Sequence, residues 1–146
     1  MWDSMKAVHP FVKGCYISID AATSETYNKV RTIKSSHGNF EQLVENLKFI
    51  NTIPTLETIV MTYTVSNMNY HEVDRFFEIK QFLPDKDIVW YFYKVNDWGH
   101  FGNKLNDYSI HNVDHPNHQD FLIHWKKCLE NGKNQRMRHT LQGIEV

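Results

Sequence analysis

Polar side chains stand where a short predicted strand turns into a helix. The run Tyr16 to Asp20 alternates apolar residues with Ser18 and ends in a carboxylate, and a helix-start residue follows at Thr23. Ligands bind at such strand ends in parallel α/β folds, which makes Ser18 and Asp20 candidate binding residues. Asp20 and Thr23 are also suited to helix capping, and the spacing leaves both interpretations open.

Two further predicted strands end in comparable groups. Ser66 follows the second strand, and Asn96 and Trp98 follow the third. Because parallel strands direct their carboxyl ends to one edge of a sheet, we expect these side chains on the same rim as Ser18 and Asp20. A polar rim beside an aromatic ring suits a polar ligand that bears a flat ring, although each residue is also an ordinary turn residue.

The elements that must hold this rim alternate between strand and helix patterns. Helical spacing opens the chain, and three strand–helix units follow, with strands predicted at 16–20, 57–65 and 88–95. This alternation predicts an α/β protein with a parallel sheet and right-handed crossovers. We assign residues 1–132 to a single domain and residues 133–146 to a polar C-terminal tail, which we expect to be loosely ordered or paired with another chain.

The composition argues against several classes of protein. The 146 residues carry a formal net charge of −1 without a long run of one sign, so nothing favours binding to nucleic acid or to a membrane surface. No apolar run approaches the length that spans a bilayer. The two cysteines, Cys15 and Cys128, have no metal-binding spacing, and so low a cysteine content favours a reducing, cytoplasmic setting.

A group of histidines follows the third strand. The spacing of His111, His115 and His118 could align imidazoles for zinc on a helix, but Pro116 lies between them and breaks the helical register. We therefore interpret the segment as a solvated loop and assign no metal ligand. A metal-dependent hydrolase that uses this loop stays open as a weaker alternative.

The first strand–helix junction also resembles a known family. Residues Ser18 to Arg31 contain the pattern S-I-D-A-x-T-x-E-T-Y-x-x-x-R, which resembles the fourth strand and following helix of radical S-adenosylmethionine (radical SAM) enzymes. Other segments similar to that family are the N-F-x-x-L-x-E-N-L-x-F-I helix at 39–50, the fifth strand and its Asn-rich turn at 64–72, and the sixth strand with its W-G ending at 91–99. The resemblance covers residues 1–102.

The resemblance implies a fold and a set of binding residues. The fold is a partial (half) TIM-type (β/α) barrel of about three parallel strands with flanking helices, and the family binds S-adenosylmethionine and an iron–sulfur cluster at the C-terminal strand ends. Ser18 and Asp20 would lie at the ribose and amino-acid end of that cofactor, and Arg31 would approach its carboxylate. The predicted cofactor-binding residues are Ser18, Asp20, Arg31, Ser66, Asn96 and Trp98, the last two bordering the substrate.

The sequence departs from that family in one respect. The cluster motif C-x-x-x-C-x-x-C is absent, and two isolated cysteines cannot supply the three thiolates that such a cluster needs. We expect the C-terminal half of a radical SAM domain, lacking an upstream segment, with no cofactor bound to this chain alone and no catalysis. The alternative is a stand-alone, non-catalytic α/β binding or oligomerisation module.

A half-barrel would leave both edges of its sheet uncovered. Exposed edges pair with other chains, so we expect a homo-oligomer formed through the sheet edges. Its contact would bury the side of the sheet that carries Trp90 and Tyr63, or would exchange the tail after Lys133 between copies.

Overall fold

Four parallel strands form the sheet in the described part of this protein. The structure is a computed structural model that describes residues 2–31, 38–96, 104–141 and 144. The strands lie in the order β1-β2-β3-β4, with bounds Gly14–Ser18 (β1), Thr58–Val65 (β2), Asp87–Lys94 (β3) and Arg136–His139 (β4). Strands that follow one another in the chain are therefore also neighbours in the sheet.

Helices occupy the connections between the strands. The described residues form two 3₁₀ helices, η1 (Trp2–Phe11) and η2 (Tyr70–Phe82), and four α-helices, α1 (Ser24–Val30), α2 (Phe40–Asn51), α3 (Leu105–Tyr108) and α4 (His118–Gly132). Two helix starts have side-chain caps: Thr23 accepts a hydrogen bond from the Thr26 N–H, and Asn39 accepts one from the Gln42 N–H. α4 begins at His118, two residues after Pro116.

The α/β class and the parallel sheet are confirmed, but the predicted number of strands is wrong. Where about three strands were expected, the sheet has a fourth, β4, which lies within the segment interpreted as a tail. It pairs with β3 in parallel, from Val89–Arg136 to Phe92–His139. The four residues of β4 read R-M-R-H, so hydropathy gives no signal for a strand.

The two faces of the sheet differ in how far they are covered. Residues paired in register share a face, and one face carries Ile59, Met61, Tyr63, Trp90 and Phe92, all nearly or fully buried. The opposite face, called the open face here, carries residues that are mostly half-buried or exposed. These are Tyr16, Ser18, Val60, Thr62, Thr64, Val89, Tyr91, Tyr93, Arg136 and Arg138.

Aromatic rings fill the space between the covered face and two helices. Phe76 of η2 contacts Tyr63 and Trp90 edge-on, with centroids 4.8 and 5.2 Å apart, and Trp125 of α4 lies 5.6 Å from Phe92. Such edge-to-face pairs add to the hydrophobic term. Trp90 and Tyr63 are 0% exposed, so the side of the sheet that was expected to be buried between copies is already buried within the chain.

Replacing Tyr63 with phenylalanine should lower the free energy of unfolding by about 1–2 kcal/mol, because the buried Asn69 carbonyl loses its hydrogen bond. The Tyr63 hydroxyl donates to that oxygen at 2.6 Å. Urea unfolding of the variant would measure the change. Tyr91→Phe is the matched control, since Tyr91 lies on the open face and should change stability by less than about 0.5 kcal/mol. Equal effects of the two changes would contradict this account of Tyr63.

Within the described ranges, no helix combines the length and the apolar character that crossing a membrane requires.

Candidate functional site

Three of the predicted binding residues lie together where β1 ends. The Arg31 Nη2 donates to the Ser18 carbonyl at 2.7 Å, to the Ser18 Oγ at 3.1 Å and to the Asp20 Oδ2 at 2.8 Å. The Asp20 side chain is 11% exposed and the Arg31 side chain 35%. The guanidinium also lies 6.0 Å from the Tyr27 ring centroid. A half-buried guanidinium thus holds the end of β1 against the last turn of α1.

Asp20 has the backbone conformation of a sharp corner. Its φ is +63°, a left-handed value that is unusual outside glycine and is tolerated best by Asn and Asp. The Asp20 Oδ1 accepts the Thr64 N–H at 2.6 Å, which ties the corner to the end of β2. Both carboxylate oxygens are therefore engaged within the protein, one by β2 and one by Arg31.

Asn69 is a central residue of this rim that the sequence analysis did not single out. Its side chain is 0% exposed, and the Nδ2 donates to the carbonyls of Asp20 and Thr64, both at 2.9 Å. The Oδ1 accepts from the Ser66 N–H at 2.8 Å and from its hydroxyl at 3.1 Å. Asn69 does not cap η2 with its side chain but joins the ends of β1 and β2.

Glu72 is the second residue whose role was missed. Its carboxylate is 5% exposed and accepts the backbone N–H groups of Ala22 and Thr23 at 2.8 and 3.1 Å, with the hydroxyls of Thr23 and Thr26 at 2.5 and 2.8 Å. Burial alone raises the pKa of the Glu72 carboxyl, but these hydrogen bonds outweigh burial and lower it. The carboxylate therefore holds the N-terminus of α1 against η2.

A cavity opens beside this corner, at the C-terminal end of the open face. Its volume is about 360 Å³, and its lining residues are Thr62, Thr64, Tyr93, Lys94 and Asn96. Two hydroxyls, one phenol, one ammonium and one amide form a lining that offers donors and acceptors around an aromatic ring. Burial is the main cause that raises the pKa of the Tyr93 phenol, with nearby Tyr91 and Tyr16 adding to it.

The other three predicted binding residues, Asn96, Ser66 and Trp98, do not all lie at this site. Asn96 lines the cavity. Ser66 is 8% exposed and its hydroxyl donates to Asn69 and accepts the Met68 N–H, so it serves the turn after β2 and does not line the cavity. Trp98 lies outside the described residues. The structure therefore brings Ser18, Asp20 and Arg31 together beside the cavity that Asn96 lines.

The histidine segment is less solvated than predicted. His118 is 8% exposed, and its Nδ1 lies 3.0 Å from the Ile110 carbonyl. His115 makes contacts at both ring nitrogens, with the Asn117 N–H and the Asp107 carbonyl. Burial is the first cause that lowers the pKa of His111. Across the described ranges, no three His, Cys, Asp or Glu side chains are grouped so that they could hold a metal ion.

A second cavity, of about 640 Å³, lies between the turn after β2 and the segment around α3. Its lining is polar and acidic, and it contains none of the predicted binding residues: it consists of Asn67, Asn106, Asp107, Asn112, Val113, Asp114, His115 and Pro116.

The thiols do not fit an iron–sulfur cluster. Cys15 is paired in register with Ile59 and therefore points to the covered face, away from the cavity on the open face. Cys128 is fully buried in α4, where burial strongly raises the pKa of its thiol. A cluster needs thiolates that converge on one point, and the chain has only these two cysteines.

Comparison with known proteins adds no relative: no protein-family model, no curated protein and no solved structure matches the chain.

Proposed function

We propose that this chain is the C-terminal half of a radical SAM-like (β/α) barrel and forms one wall of an S-adenosylmethionine pocket. The observation that carries the proposal is the joining of Ser18, Asp20 and Arg31 at the end of β1, the residues of the S-I-D-A-x-T-x-E-T-Y-x-x-x-R pattern. The sheet order β1-β2-β3-β4 with all strands parallel supports it, because a (β/α) barrel adds its strands in this sequence.

The chemistry of the wall follows from its side chains. The Arg31 guanidinium, 35% exposed, has N–H groups beyond the one that bonds Asp20, and these can meet a carboxylate. Thr62, Thr64 and Asn96 in the cavity offer partners for ribose hydroxyls, and the Tyr93 ring offers a flat surface. A single wall buries only part of a ligand, so we expect weak binding to this chain alone.

The chain alone is not catalytic in this proposal, because its two cysteines cannot hold the cluster that would cleave the cofactor. The low cysteine content favours a reducing compartment, and we therefore propose that the protein is cytoplasmic.

Saturation-transfer NMR with millimolar S-adenosylmethionine tests the wall. We expect transfer to the adenosyl protons with the native chain and a loss of at least about threefold with Arg31→Gln, since the guanidinium is the group that meets the carboxylate. Arg31→Lys should retain part of the signal. Arg75→Gln is the matched control, because Arg75 is an exposed arginine of η2 that pairs with Glu78 and lies outside the proposed wall.

Two outcomes would contradict the proposal. An identical signal from the native chain and Arg31→Gln would show that Arg31 does not contribute to S-adenosylmethionine binding, which contradicts the proposed pocket wall. Formation of 5′-deoxyadenosine after anaerobic reconstitution with iron and sulfide would show that the chain is catalytic by itself.

A second candidate function is a non-catalytic oligomerisation module. The observation that favours it is the open face, on which Tyr16 remains 78% exposed.

A further inference from the structure

We propose that two copies of this chain pair through their sheet edges, β4 of each against β1 of the other, and close an eight-stranded parallel ring around their open faces. This inference rests on the half-barrel part of the proposed function and names the partner that covers its cavity. Four strands in sequential parallel order are half of the eight that close a (β/α) barrel. A second copy related by a two-fold axis supplies the other four.

The first observation is that both ends of the sheet are edges. Among the described residues, β1 and β4 each pair with one strand, so the outer side of each carries backbone donors and acceptors that no described strand uses. The Ser18 carbonyl at the end of β1 already accepts from Arg31, and the groups before it remain for a partner strand. Unpaired edges are templates for another strand. If β4 of each copy pairs with β1 of the other, all four edge strands of the dimer gain a hydrogen-bonded neighbour. A closed barrel has no unpaired edge strand for the same reason.

The second observation is that exposed apolar groups concentrate at β1. Among the large hydrophobic side chains that the described residues leave exposed, Phe11 at 81%, Tyr16 at 78% and Val8 at 42% lie in β1 or in η1 just before it. Scattered single exposures need no explanation, but three exposed apolar side chains within nine residues of η1 and β1, two of them aromatic, are typical of a contact surface.

The third observation is that the two edges are chemically complementary. β4 presents the exposed residues Arg136 and Arg138 on the same face of the sheet that carries Tyr16 of β1. Arg136 is ion-paired with Asp87, and Arg138 shares a row with Tyr91. Guanidinium groups attract aromatic faces, so the β4 edge of one copy suits the β1 edge of another better than either edge suits itself.

The pairing would also complete the candidate site. The cavity beside β2 and β3 is open toward the open face, where Thr62, Thr64 and Tyr93 line it. In a closed ring the partner's open face lies across from these residues. The partner copy therefore supplies the missing side of the cavity.

Cross-linking of marked copies tests the arrangement. In a Cys15→Ser background, chains with Tyr16→Cys are mixed with chains of a different tag that carry Arg138→Cys, and a short bis-maleimide is added. Within one chain, β1 and β4 are three strand spacings apart, about 14 Å, so heterotypic links between differently tagged chains report the contact between copies. The pairing of Ile123→Cys with Arg138→Cys is the control, since Ile123 is an exposed residue of α4.

The expected result is a mass by light scattering of twice 17.4 kDa at micromolar concentration, with Tyr16–Arg138 links at least about fivefold more abundant than control links. Arg138→Glu should weaken the dimer by about tenfold, the equivalent of one strong cation–π contact, and Lys127→Glu on the exposed side of α4 should not. A monomeric mass, equal linking in the control, or Tyr16–Tyr16 links in place of Tyr16–Arg138 links would overturn the inference. A dimer that gives no saturation transfer to S-adenosylmethionine would contradict the proposed function but not the pairing of the two copies.

Discussion

Replacing Asn69 with leucine should lower the free energy of unfolding by about 3–5 kcal/mol, because several buried groups lose their partners at once. The Asn69 amide bonds the carbonyls of Asp20 and Thr64 and the N–H and hydroxyl of Ser66. The residue is 0% exposed, so water cannot replace these bonds. A leucine of similar volume leaves the two carbonyls and the Ser66 N–H desolvated and without these bonds, and the Ser66 hydroxyl keeps its bond from the Met68 N–H.

Urea unfolding followed by circular dichroism would measure this change in the midpoint. The neighbouring Asn67→Ala is the matched control: Asn67 is half-buried, its side-chain Oδ1 has no partner in the described part of the chain, and we expect a change below about 1 kcal/mol. If Asn69→Leu were as stable as Asn67→Ala, the joining of the β1 and β2 ends by Asn69 would not be a source of stability.

The continuous elements of the sheet could be predicted because their signal is local. Residues 57–65 and 88–95 are apolar runs of the kind found in covered parallel strands, and β2 and β3 fall within one residue of them. β4 could not be predicted, because Arg136 and Arg138 lie on the open face and only Met137 is apolar. A short edge strand of this kind is defined by its neighbour β3, which a local pattern does not contain.

The candidate site also contains residues that a local sequence signal identifies and residues that it does not. Ser18 and Asp20 are two residues apart in the sequence, and a strand end followed by a helix start is a local signal. Asn69 and Glu72 have the spacing of a helix N-cap and its N3 residue, but the Asn69 side chain does not cap η2 and the Glu72 carboxylate bonds residues of α1 and the turn before it. Their partners, Asp20 and Ala22, are 49 and 50 residues away, and only the packing of η2 against the β1 end decides between a local and a distant partner.

Replacing Glu72 with glutamine should be nearly as costly as Asn69→Leu at neutral pH, at about 3–4 kcal/mol. The two carboxylate oxygens accept four hydrogen bonds, two from backbone N–H groups and two from hydroxyls. The amide of glutamine has one acceptor oxygen, so its NH₂ group must face some of these donors. The negative charge also lies at the N-terminus of α1, which the helix dipole favours. Glu78→Gln is the matched control, since Glu78 is 51% exposed in an i,i+3 pair with Arg75 and should cost at most about 0.5 kcal/mol.

The difference in free energy of unfolding between the native chain and Glu72→Gln depends on pH, and this dependence separates the effect of the Glu72 charge from that of its shape. The folded state lowers the pKa of Glu72 below its ordinary value of 4.5, so at acidic pH the unfolded chain binds more protons than the folded one, and stability falls as the pH falls. The stabilisation is complete above about pH 4.5 and disappears as the pH passes through the lower folded pKa. The stability difference between the native chain and Glu72→Gln, measured by urea unfolding at each pH, should therefore be constant from pH 7 to 5 and shrink below pH 4.5. A difference that persists unchanged at pH 3 would assign the cost to the altered shape of the side chain and not to the carboxylate charge.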